Sequence, residues 1–207
     1  MLRHRILEVR LYRRITWDGE APGFDLNAVS QLLGKRITYD ATGPMIEFEY
    51  PNGNVYLRGD GTLVTRGFET YEAGLVAITL ATFETLTIPT STYDYRLPMH
   101  ETPYETTSVN ILAVIAVCDF GHPVDIPLLL KARDVSQNAN DEMLLWLTLG
   151  KSVKYRLRVH SDGRGTIVVT AGWDTPFALA HIIHRCAIES DNLIHTYINK
   201  AKGMKKA

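Results

Sequence analysis

Cysteine is scarce in this chain of 207 residues. Cys118 and Cys186 stand alone, too few and too far apart for a disulfide framework or a zinc site, and they read as two buried free thiols. No run of 18 apolar residues occurs, and the opening MLRHRILEVRLYRR lacks the apolar stretch and small-residue cleavage site of a secretory signal. No membrane association and an intracellular setting are therefore expected. Positive charge is not in excess either: 22 Lys and Arg against 23 Asp and Glu leave a net charge of -1. That excludes a protein that coats nucleic acid indiscriminately and confines any basic surface to a local patch. No Ser-His-Asp, Cys-His or phosphate-loop pattern is present, so neither catalysis nor a cofactor is expected. His181, His184 and Cys186 do not suggest a metal, because helical spacing puts the histidines on a polar side and the cysteine on a core side.

The chain does contain a near-repetition. DGTLVTRGFETYEAG, Asp60 to Gly74, is echoed about a hundred residues on by DGRGTIVVTAGWDTPFA, Asp162 to Ala178. Leu7, Val9 and Leu11 alternate with Glu8, Arg10 and Tyr12, which predicts a strand with one buried face. Asp25 as N-cap, Leu26, Val29, Leu32 and Leu33 as an apolar set, and Gly34 as a stop predict a short helix. RITYDA, PMIEFEYP, NVYLRG and GTLVTRGF, broken by TGP, PNGN and GDG, read as an antiparallel meander, and ETYEAGLVAITLATFETL as a long helix. The series recurs as SVNILAVIAVC, GHPVDIPLLLKA, the strands DEMLLWLTL, KYRLRVHSD and GTIVVTAG, and a helix with Asp174 at its N-cap and Pro176 in its first turn.

Aligned on this order, Phe24-Asp25-Leu26 matches Val124-Asp125-Ile126, and Gly61-Thr62-Leu63-Val64 matches Gly165-Thr166-Ile167-Val168. Asp60-Gly61 and Asp162-Gly163 read as hairpin turns rather than as catalytic carboxylates. The expected architecture is α+β, with one repeat over 1–90, a Pro-, Thr- and Tyr-rich connector over 91–106, a second repeat over 107–197 and a basic tail over 198–207.

A sheet covered by helices on one side needs apolar residues only there, so its other face is polar and wet unless it binds something. Along VKYRLRVHS, Tyr155, Leu157 and Val159 alternate with Lys154, Arg156, Arg158 and His160, which places a basic row opposite the core. The first repeat has a thinner version: Tyr56 and Arg58 face outward, as do Arg10, Tyr12 and Arg14 on the opening strand. ILAVIAV is apolar on both faces. A face mixing apolar residues with Lys and Arg suits the minor groove of DNA, whose floor is sugar and base edge and whose walls are phosphate.

These residues resemble the core domain of the TATA-box-binding protein family, over about 5–195. Cys118-Asp119-Phe120-Gly121-His122-Pro123-Val124 is similar to that family's second-repeat entry. Gly61-Thr62-Leu63-Val64-Thr65-Arg66-Gly67 and Gly165-Thr166-Ile167-Val168-Val169-Thr170-Ala171 resemble its glycine-basic-apolar-Val-x-Thr-Gly strand. The resemblance implies two pseudo-symmetric repeats forming a saddle, with a concave sheet on double-stranded DNA and helices on the convex side. It adds Thr62, Val64, Arg66, Thr166, Val168 and Thr170 as groove-facing residues. Asp141 and Glu142 are implied as the stirrup that meets a IIB-like transcription factor, beside RNA polymerase machinery, in a nucleus, a viral factory or an archaeal-type cytoplasm.

The departures from the family concern its wedges, since unstacking bases requires a bulky apolar side chain. Arg58 and Asp162 stand three residues before the glycines taken as turns, where the family has phenylalanine, which leaves Met45 and Leu144 as candidate intercalating wedges. The groove-reading asparagines are replaced near Arg13 and Ala113. The expected function is promoter recognition in the minor groove of A/T-rich DNA with recruitment of a IIB-like factor. The alternative is a protein-interaction module on the same fold that has lost autonomous DNA binding.

Overall fold

The computed structural model describes residues 2–16, 19–88, 105–129, 136–138, 141–149, 153–170 and 178–204, with the backbone alone for 136–138, 141–149, 153–154 and 197–204. Among these residues no helix is long and apolar enough to cross a membrane. The chain forms two compact units, Glu8–Leu112, and Met1–Leu7 with Ala113–Ala207.

The first unit takes most of β1 (Arg3–Thr16), then α1 (Leu26–Leu33), β2 (Arg36–Asp40), β3 (Gly43–Tyr50), β4 (Gly53–Arg58), β5 (Thr62–Arg66), α2 (Tyr71–Leu86) and β6 (Glu105–Thr106). Its sheet runs β2-β3-β4-β5-β1 with antiparallel neighbours. The caps read in the sequence hold α1: Asp25 accepts from the amides of Asn27 and Ala28, and Gly34 closes the helix at φ 61. On α2 the small residues Gly74, Ala77 and Ala81 face the sheet, so the helix lies close on Leu11 and Phe68. Buried Thr82 and Thr85 donate their hydroxyls to the carbonyls of Ile78 and Ala81, at 2.6 and 2.7 Å, and so carry no unsatisfied polar atom into the core. The outward side of α2 is apolar too, with Val76 61%, Leu80 48% and Phe83 63% exposed.

The second unit takes most of β7 (Asn110–Asp119), then α3 (Ile126–Leu129), β8 (Ser136–Asn138), β9 (Asp141–Leu149), β10 (Val153–Val159), β11 (Arg164–Val169) and α4 (Leu179–Met204). Its sheet runs β8-β9-β10-β11-β7, again antiparallel. Leu157, Val159, Ile167, Val169, Ile183 and Ala187 are fully buried. Tyr155 buries its ring and shares its hydroxyl with Ser190 Oγ at 3.2 Å, while Ser190 donates to the Cys186 carbonyl at 2.7 Å.

The boundaries differ from the expected ones. Residues 105–112 belong to the first unit because β6 pairs with β1 and the Thr107 amide donates to the Arg14 carbonyl at 2.9 Å. α4 continues to Met204, past the expected start of a tail at 198. Residues 91–104 of the expected connector and the N-cap at Asp174 lie outside the described residues.

The same turn bonds recur in both units. Gly61 N donates to Arg58 O and Gly163 N to His160 O, each at 3.0 Å; Gly61 O accepts from Ile15 N and Gly163 O from Phe120 N, each at 2.9 Å. Phe24 N donates to Gly59 O at 2.8 Å and Val124 N to Ser161 O at 2.9 Å. Asp60 and Asp162 each accept the amide two residues on, from Thr62 and Arg164. The bonds match Phe24 with Val124 as expected, but they match Gly61 with Gly163, not Gly165. The sequence alignment is thus corrected by two residues on the meander. A slip of two leaves every strand residue on its own face, so hydrophobic alternation cannot detect it. The counterpart of Arg58 is then His160, and Leu144 matches Glu47, not Met45.

Both thiols are buried, and burial pushes Cys118 and Cys186 up to about 12. At pH 8 the thiolate fraction is about one in ten thousand. Native protein is expected to resist iodoacetamide at pH 8 and to take up two labels only when denaturant is added; labelling of the native fold at the denatured rate would contradict this packing.

Candidate nucleic-acid interface

The face of each sheet turned away from its helices carries the residues expected to bind. In the second unit, buried Tyr155, Leu157 and Val159 alternate with exposed Arg156 and Arg158, and exposed His160 follows. Arg156 pairs across the ladder with Val168 and Trp146, and Arg158 with Thr166 and Leu144. Val168 and Thr166 in turn pair with Ile115 and Val117. A guanidinium row therefore runs beside a half-buried apolar strip of Ile115, Val117, Thr166 and Val168, with Thr170 exposed at the end. Lys154 pairs with Thr148; its side chain, and those of Leu144, Asp141 and Glu142 on β9, lie outside the described side chains.

A cavity of about 610 Å³ in this unit is lined by Arg3, Arg5, His160 and Arg164 together with Asp119, Asp162, Val117 and Thr166. Arg164 donates from Nε to Asp162 at 2.8 Å, a bond that raises its own pKa and lowers that of Asp162. Arg3 and Arg5 were legible as the first basic pair of the chain, but strand periodicity alone gave no reason to bring them here. His4 sits between them in sequence, its ring 5.1 Å from that of His184; burial first, then the neighbouring imidazole, lowers its pKa.

In the first unit, Arg10, Arg14, Arg36, Arg58 and Arg66 share the open face with Glu8, Asp40, Glu47 and Glu49, and most of these charges pair internally. Arg10 grips Glu8 through two bonds of 2.9 and 3.0 Å. Asp40 holds Arg66 at 2.8 Å and Arg58 at 3.5 Å. Glu47, 5% exposed, accepts from Arg36 Nε at 2.8 Å, Asn54 Nδ2 at 2.6 Å and the Tyr56 hydroxyl at 3.1 Å. The Arg66 guanidinium lies over the Tyr56 ring, 5.2 Å from its centre.

Several expected contacts are corrected here. Met45 is 2% exposed and Val64 8%. A wedge must be exposed to enter a base step, so Met45 cannot act as one, and Val64 lies covered between its ladder partners Tyr12 and Tyr56. Tyr12, Tyr56, Arg58, Thr62 and Arg66 remain partly accessible and Arg14 exposed. The carboxylates were missed although the signal was present: in MIEFEY, Glu47 and Glu49 alternate with Ile46 and Phe48, which puts them on the open face.

Hydrogen bonds from the Thr42 hydroxyl and amide, then from Arg66, with the charge of Arg58, hold Asp40 down to about 2. A carboxylate depressed in the fold stabilises it above the ordinary value near 3.8, and that contribution disappears as pH falls through about 2. Asp40→Asn is expected to flatten the loss of stability between about pH 4 and pH 2, read by urea unfolding; an unchanged acid limb would contradict the network.

No protein-family model and no curated protein matches the sequence. The class that the fold defines is an α+β chain with antiparallel sheet and few helices, of the kind found in the TATA-box-binding protein. The solved structure of Methanococcus jannaschii TBP is similar to this chain with a TM-score of 0.53 at 16% identity, over 90% of this chain and 98% of that one. That likeness establishes a TBP-like fold.

Proposed function

We propose that this protein is a non-catalytic, divergent TATA-box-binding-like factor: a saddle of two pseudo-symmetric repeats whose concave sheet face enters the minor groove of A/T-rich promoter DNA. The row of Arg156 and Arg158 beside the apolar strip of Val168, Thr166, Val117 and Ile115 carries this reading. The strip offers apolar surface to sugars and base edges, and the guanidiniums reach phosphates on the groove wall. Selection is by deformability rather than base contacts. With Met45 covered, phenylalanine wedges absent and Leu144 matched to Glu47 rather than to Met45, no wedge pair remains and the bend is shallow. Bound DNA then presents the protein to a IIB-like factor, through Asp141 and Glu142, and to polymerase.

The self-paired first sheet gives specific support to a second reading, a protein-interaction module, as does the exposed stripe of Val76, Leu80 and Phe83. Groove competition separates the two. A minor-groove ligand should displace the protein from an A/T-rich duplex, and Val168→Glu should weaken binding at least about tenfold by bringing a carboxylate to the phosphates. Binding indifferent to the ligand and to Val168→Glu would contradict groove entry, and no duplex binding at all would favour the module.

A further inference from the structure

Away from the open sheet face, the loop after β7 and the middle of α4 bring together His122, Asp191 and His195. Asp191 and His195 are one helical turn apart on α4, and His122 comes from the loop that leads into α3. Their donor atoms all lie within 4.8 Å of one another. His122 Nε2 and His195 Nε2 stand 3.7 and 3.6 Å from the same atom, Asp191 Oδ1. The two imidazole rings are tilted 48° to one another with centres 4.5 Å apart.

We propose that these three side chains bind a divalent first-row transition ion of the Zn²⁺ type, which clasps the β7–α3 loop to α4. His122 Nδ1 lies 3.2 Å from the Pro123 carbonyl. A carbonyl only accepts, so in the neutral imidazole Nδ1 carries the proton and Nε2 keeps its lone pair. That outer-shell bond to a carbonyl is the one a metal-ligating histidine uses to fix its tautomer. The lone pair is aimed at a carboxylate oxygen, and both His122 Nε2 and Asp191 Oδ1 are buried atoms without a hydrogen-bond partner. Two acceptors facing each other without a proton repel, and a cation between them removes the conflict. The spacing suits one: two donors at about 2.0–2.1 Å from a tetrahedral Zn²⁺ stand about 3.4 Å apart. A charge-assisted hydrogen bond would instead draw them to about 2.8 Å. His195 is exposed, which leaves room for a water as fourth ligand. Two imidazoles and one carboxylate favour Zn²⁺, Co²⁺ or Ni²⁺ over Ca²⁺ and Mg²⁺.

The test uses the full chain, freed of metal by dialysis against chelator, with Zn²⁺ and Co²⁺ as probes. One equivalent of Zn²⁺ should bind and raise the melting temperature, and Co²⁺ should give the visible absorption of a four-coordinate nitrogen and oxygen site. Asp191→Asn and His195→Ala should each weaken Zn²⁺ at least about tenfold, while His184→Ala, on the same helix beside His4, should leave it unchanged. Circular dichroism of the metal-free variants checks that they fold. Absence of the melting shift and of the Co²⁺ spectrum in the wild type would overturn the proposal. So would uptake lost in His184→Ala but retained in His195→Ala.

Discussion

Gly163→Ala is expected to lower the stability of the protein by about 3 kcal/mol or more. Gly163 has φ +92, a conformation that other residues adopt with strain, and a Cβ there would stand 2.1 Å from the His122 carbonyl oxygen. The obstacle is backbone, so no rotamer change relieves it. Its counterpart Gly61, at φ +83, would put a Cβ 2.3 Å from the Ile15 carbonyl oxygen and 2.8 Å from Pro22, and Gly61→Ala should be damaging to a similar degree. Gly34 also has positive φ, +61, but nothing within 4 Å of a Cβ; Gly34→Ala isolates the dihedral strain, about 1 kcal/mol. Urea midpoints of the three variants read the contrast. Equal, small losses at all three would mean that the turns of the two units are not pinned against their neighbouring segments.

The second large effect is expected at Glu47. Glu47→Ala strands the buried side of a network and should destabilise the fold by about 3 kcal/mol, because Arg36, Asn54 and Tyr56 all lose their shared acceptor. Glu47→Gln keeps an acceptor oxygen and should lose about 1 kcal/mol. The two variants share a second consequence. With the carboxylate gone, Arg36 keeps only Glu49, at 3.4 Å, as its anionic partner, so duplex affinity of the folded Gln variant should rise severalfold. A fall in affinity would show that the network, rather than the positive charge, shapes the open face of the first sheet.

How far the sequence could be read depended on what each signal encodes. Strand alternation placed Tyr155, Leu157 and Val159 inward and Arg156 and Arg158 outward, because burial of a face is a local property written every second residue. Caps at Asp25 and Gly34 were legible for the same reason. Registration between the two halves was not. The turns at Gly61 and Gly163 are equivalent by their bonds, yet a two-residue slip to Gly165 preserves every face and costs the pattern nothing. Partnership was also hidden. Arg58 and Arg66 converge on Asp40, residues from three strands whose meeting depends on cross-strand register. His122 lies 69 residues before Asp191 in sequence and only the packing of the β7–α3 loop on α4 joins them.

The central claim is that the arginine row of the second sheet, beside its apolar strip, holds a DNA groove. Binding of an A/T-rich duplex measured across salt tests it most directly. The account predicts a steep log-log slope that falls by about 2 in the Arg156→Ala, Arg158→Ala double variant, near one released counterion per arginine, and changes far less in Arg58→Ala, Arg66→Ala. A slope that is flat in the wild type, or that responds to the second pair and not to the first, would contradict it.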